Sequence, residues 1–76
     1  MANLRVTYDP EADAAYIYLT GRTEAGEGVI ATRRVQSGAF DAVVDFGPEL
    51  KVLGLEFLGA SQTLPKALLD QAEILQ

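Results

Sequence analysis

The chain has 76 residues, 49% of them hydrophobic, with six basic and eleven acidic side chains and a formal net charge of -5. That length allows one domain, which buries only about 60% of the surface of its unfolded chain, and the apolar share is that of a globular protein rather than a disordered one. Lacking cysteine and histidine, the chain can form neither a disulfide nor a zinc site of the usual Cys/His kind. Lacking a basic run, it offers no positive footprint for nucleic acid.

The N-terminal residues Met1-Ala2-Asn3-Leu4-Arg5 hold no apolar core of signal-peptide length. No apolar run approaches the roughly 20 residues that cross a bilayer, so a cytoplasmic protein without membrane contact is expected. From Leu4 to Tyr8 the pattern alternates, with Leu4, Val6 and Tyr8 on one side and Arg5 and Thr7 on the other, as in a half-buried strand. Pro10 presets a turn, the Asp9 carboxylate can accept from a backbone N–H two residues on, and Asp13 tolerates a left-handed backbone. A loop over Pro10 to Asp13 then pairs Tyr8 with Ala15, Val6 with Ile17 and Leu4 with Leu19. The other face receives Thr7 with Tyr16, and Arg5 with Tyr18, a cation–π arrangement.

Gly21 to Gly28 is a polar, acidic, glycine-rich loop. Val29 to Gln36 is a third strand, rich in β-branched residues. A turn at Ser37-Gly38 pairs Val35 with Phe40, Ala31 with Val44 and Val29 with Phe46. A last hairpin closing over Gly47 to Leu50 pairs Val44 with Leu53, Ala42 with Leu55 and Phe40 with Phe57. Phe40, Ala42, Val44 and Phe46 thus share one apolar face. After Gly59-Ala60-Ser61 the period changes: Ser61 or Thr63 can cap, Pro65 suits a first helical turn, and Leu64, Leu68, Ala72 and Leu75 recur at helical spacing. The expected fold is a single α+β domain over residues 1–76, with an antiparallel sheet of about five strands (4–58), made of successive hairpins, and one C-terminal helix (62–76). That helix is expected to pack on the face of Val6, Ile17, Val44 and Leu55.

The opposite face carries the candidate site. These registers put Arg34, Asp41 and Glu56 in one row across three strands, near Asp45, with Tyr16 and Tyr18 on the same side. Facing carboxylates raise one another's pKa and can divide acid and base roles or hold a hard cation. The plainer account is that Arg34 neutralises Asp41 in a cross-strand charge ladder. No nucleophile, base and orienting group complete a catalytic set, and Asp9 with Asp13 supplies too few oxygens for a calcium loop. No catalytic residue, metal or cofactor is expected. Ile30, Val43, Val52, Leu58, Tyr16 and Tyr18 make this face too apolar for a fully wet surface, which points to a homodimer, through this face or through edge-strand pairing.

Two segments carry a family resemblance: Tyr8-Asp9-Pro10-Glu11-Ala12-Asp13-Ala14-Ala15-Tyr16-Ile17, and Gly54-Leu55-Glu56-Phe57-Leu58-Gly59-Ala60-Ser61. Together they resemble the prokaryotic family known as domain of unknown function 2283, short proteins with a Tyr-Asp-x-x-x-Asp opening and a Gly-Ile-Glu-Ile-like strand before a small-residue turn. The chain departs from that pattern at Ala15, where Leu is usual, and at Leu50, where the family carries a turn glycine that this chain moves to Gly47. The resemblance implies a small sheet-plus-helix domain and no assigned activity. Its matching positions here are Tyr8, Asp9, Asp13, Gly54 and Glu56. The functional expectation is a non-enzymatic interaction or regulatory module, acting as a homodimer or with a small protein partner. The alternative is a carboxylate-based cation or hydrolytic site around Asp41 and Glu56, with Asp45 and with Asp9 and Asp13 as further donors.

Overall fold

The computed structural model describes residues 4–21 and 23–75. Along the chain run β1 (Arg5–Asp9), β2 (Ala14–Tyr18), β3 (Ala31–Ser37), β4 (Phe40–Phe46), β5 (Val52–Leu58), α1 (Ala60–Thr63), α2 (Lys66–Gln71) and β6 (Glu73–Ile74). A single 3-10 turn at Pro48–Leu50 joins β4 to β5. The strands form one sheet in the order β3-β4-β5-β2-β1-β6.

The first hairpin has the register read from its turn, Tyr8 facing Ala15, Val6 facing Ile17 and Arg5 facing Tyr18. The local chemistry explains it. The Asp9 carboxylate accepts from the N–H of Glu11 at 3.0 Å and of Ala12 at 3.3 Å, and Asp13 takes φ 51 to bring the chain back. The Arg5 guanidinium lies 4.7 Å from the centroid of the Tyr18 ring.

The next two hairpins differ from expectation by two residues each. Ser37 faces Phe40, so the turn is Gly38-Ala39 rather than Ser37-Gly38, and Val35 faces Ala42 while Ala31 faces Phe46. Gly38, with φ 59, occupies the first central position, where the glycine of a Gly-x hairpin turn belongs. Between β4 and β5 the connection takes in Lys51, and Val44 faces Leu55 while Ala42 faces Phe57. Because side chains alternate with period two, a shift of two leaves every residue on its expected face. It does change partners: Glu56 stands opposite Val43, and Asp41 opposite Leu58.

Two further corrections concern the sheet and the C-terminus. Among the described residues the sheet has six strands and is mixed, because β6 joins the outer edge of β1 in parallel, with Thr7 beside Glu73 and Tyr8 beside Ile74. The single helix expected over 62–76 is two short ones. Leu64, next to Pro65, is extended at φ -102 and ψ 148, the conformation that a following proline imposes. Ala72 is extended as well, and the Leu75 N–H donates to the Tyr8 carbonyl at 2.8 Å. Helix α2 lies against β1.

The interior is thin. The buried apolar residues are Ala15, Tyr16, Tyr18, Ala42 and Ala60, joined by Thr7 and Asp45, and no large side chain among the described residues is fully buried. Val6, Ile17, Val44, Leu55 and Phe57 are half-buried, and all seven residues of β3 are exposed.

Candidate functional site

The ladders set the second face in rows. One runs Tyr16, Glu56, Val43, Arg34 across β2, β5, β4 and β3; the next runs Ala14, Leu58, Asp41, Gln36; a third runs Tyr18, Gly54, Asp45, Thr32. Asp41 and Glu56 are therefore diagonal neighbours, not a facing pair. Arg34 reaches diagonally to Asp41, Nε donating to Oδ1 at 3.0 Å and Nη2 to Oδ2 at 2.7 Å. That fork holds the Asp41 carboxyl below its ordinary range and raises the guanidinium in turn. Arg34 is exposed and Asp41 half-buried, and a pair open to solvent on one side contributes about 1 kcal/mol or less.

Tyr16 and Tyr18 are packed into the sheet surface, 7% and 6% exposed, with ring centroids 4.6 Å apart at 60°. The Tyr16 hydroxyl donates to Asp45 Oδ2 at 2.6 Å, and Asp45 itself is 8% exposed. Tyr16 belongs to β2 and Asp45 to β4, so the ring must cross β5, and it does so over Gly54. A Cβ at position 54 would stand 2.5 and 2.6 Å from the ring's Cε1 and Cζ, and closer still to its hydroxyl. Only the absence of a side chain at Gly54 leaves the bed on which Tyr16 lies.

A second polar cluster ties the first turn to the end of the sheet. Asp13 Oδ1 accepts from the Tyr8 hydroxyl at 2.7 Å and from the Ser61 N–H at 2.9 Å, while Oδ2 accepts from Ser61 Oγ at 2.8 Å. The Ala60 N–H donates to the Asp13 carbonyl at 2.9 Å. Neither helix has a side-chain cap on its own chain segment, and Asp13 supplies one to α1 from the β1–β2 turn. These bonds, the Tyr8 hydroxyl first, lower the Asp13 pKa, and the same bond raises that of Tyr8.

The chemistry open to these groups is narrow. Ser61 Oγ does have a carboxylate partner, but a carboxylate whose pKa is lowered is a poor base for activating a hydroxyl. Asp13, Asp41 and Asp45 each accept from a protein donor, and among the described residues no group of three acidic side chains gathers where one metal ion could reach them. Arg34 and Asp41 meet, though as diagonal neighbours rather than facing partners, and the sequence does not disclose the Tyr16–Asp45 bond or the Asp13–Ser61 bond. A glycine inside a strand was the available signal for the first, since it marks a close approach. No sequence signal pairs Asp13 with a residue 48 positions away.

No curated protein and no solved structure matches the chain. Tyr8, Asp13, Gly54 and Ser61, whose contacts join the first hairpin to the rest of the sheet and to α1, all fall within residues 5–61, which match the family model described as "Protein of unknown function (DUF2283)", and the chain belongs to that family.

Proposed function

We propose that this chain is a protein-interaction module without chemistry of its own, acting in the cytoplasm and completed by a second copy of itself or by a small protein partner. The supporting observation is the missing interior. Among the described residues no large side chain is fully buried, and the buried apolar set is only Ala15, Tyr16, Tyr18, Ala42 and Ala60. Large apolar side chains stand exposed at the strand ends, among them Leu4, Leu19, Ile30, Leu50 and Val52, and a chain with no disulfide or metal gains stability by covering such groups. Light scattering at tens of micromolar tests the reading. A mass above that of one chain supports a homo-oligomer; monomer alone, with no partner co-purifying from the native cell, overturns it.

The cation reading around Asp41 and Glu56 has less behind it. Asp41 is forked by Arg34, Asp45 is held by Tyr16, and Glu56 stands between Tyr16 and Val43. Millimolar calcium, magnesium or manganese should leave the melting temperature unchanged. A rise that Glu56→Gln abolishes would restore a metal function.

A further inference from the structure

Among the described residues strand β3 ends the sheet on one side, paired only with β4. Its seven residues, Ala31 to Ser37, are all exposed, contain no proline, and run along β4 without a register break. Such an edge presents a row of unpaired N–H and C=O groups, and proteins ordinarily shorten, bulge or cover it. Here it is left long and open, at the opposite end of the sheet from α2.

We infer that β3 is the seam at which a second copy of this chain adds, antiparallel and about a two-fold axis at Val35, making one continuous sheet through both copies. The inference rests on the homo-oligomer reading above and adds its surface and register. A two-fold axis that keeps each face of the sheet on its own side must pass through a residue, which then faces itself. An axis at Arg33 sets like charges directly opposite, which destabilises a ladder, and one at Arg34 opposes two guanidinium groups that each keep a fork to their own Asp41. An axis at Thr32 or at Gln36 pairs only three residues of the strand (31–33 or 35–37), given its bounds at Ala31 and Ser37. The axis at Val35 pairs five, residues 33–37, and opposes no like charges: Arg34 meets the Gln36 amide and Arg33 meets Ser37. It also sets Val35, 47% exposed and the one large apolar side chain of the strand, against its own copy. Arg33 thus serves to exclude a competing register.

The chain has no cysteine, so a single introduced one reports on this geometry without interference. Facing residues of an antiparallel ladder have Cα atoms about 4.5–5.5 Å apart, within the span of a disulfide. Val35→Cys should oxidise to a disulfide-linked dimer, while Thr32→Cys, whose copies would lie about 20 Å apart in this register, should stay largely monomeric on a non-reducing gel. Val35→Lys should weaken dimerisation at least tenfold in sedimentation while leaving the circular dichroism spectrum unchanged. A wild-type dimer in which Val35→Cys fails to cross-link, or cross-links no better than Thr32→Cys, overturns the seam and leaves the homo-oligomer reading intact. A wild-type chain that sediments only as monomer overturns both.

Discussion

Replacing Gly54 with alanine tests the arrangement on which the second face is built. The new Cβ would fall 2.5 Å from Tyr16 Cε1, well inside van der Waals contact, and Tyr16 cannot swing away without leaving both Tyr18 and Asp45. Overpacking of this kind costs about 1–3 kcal/mol, and losing a hydrogen bond to a charged partner costs about 1.5–3 kcal/mol. Alanine returns roughly 0.5–1 kcal/mol through the smaller entropy of its unfolded chain. The net loss is about 1.5–5.5 kcal/mol, or a melting temperature lower by ~6 °C or more for a domain of this size. The decisive assay is a double-mutant cycle followed by urea denaturation. In a Tyr16→Val background the ring no longer reaches position 54, so Gly54→Ala should be neutral or slightly stabilising. The reasoning fails if Gly54→Ala stays within about 0.5 kcal/mol of wild type, or if it costs as much with Tyr16 absent as with it present.

Leu50 holds φ 57 with 68% of its surface exposed, so Leu50→Gly removes a left-handed strain of about 1–2 kcal/mol against an entropy cost of roughly 0.5–1 kcal/mol. Thermal melts should show a rise of a few degrees; a fall would contradict the turn geometry. The Asp13 carboxyl, lowered chiefly by the Tyr8 hydroxyl, contributes stability that is fully present above its unfolded pKa and is lost as pH falls through its folded one. Tyr8, raised by the same bond, contributes stability that is present below its ordinary range near 10 and is lost as pH rises through its folded pKa. Asp13→Asn should therefore flatten the acid limb of a melting profile, and Tyr8→Phe should flatten the alkaline limb and part of the acid one. Unchanged limbs in both variants would show that the cluster is not formed.

Faces were legible throughout the sequence and partners only in the first hairpin, for one reason. Alternation along Leu4–Tyr8 and Phe40–Phe46 assigns each side chain to a side of the sheet, and that assignment survives any shift of two residues. Partners depend on which two residues make the turn. At Pro10 to Asp13 the chemistry of Asp9 and Asp13 specifies it, and the register is as read. At Ser37-Gly38-Ala39 two dipeptides compete, and the pair with glycine in the first central position wins. Leucines at helical spacing argued for one helix, but Pro65 divides it, and the two-residue β6 is too short to leave a period of its own. The Asp13–Ser61 and Tyr16–Asp45 contacts arise only once β2 docks on β5, a pairing that no turn announces.

The claim that a second copy supplies the missing burial is tested most directly by melting the wild-type protein over a hundredfold range of concentration. A chain stabilised by its own copy gains about 2.7 kcal/mol over that range, which for a dimeric unit of two such chains raises the midpoint by roughly 5–10 °C. A melting temperature that does not move with concentration would contradict the homo-oligomer, and with it the β3 seam.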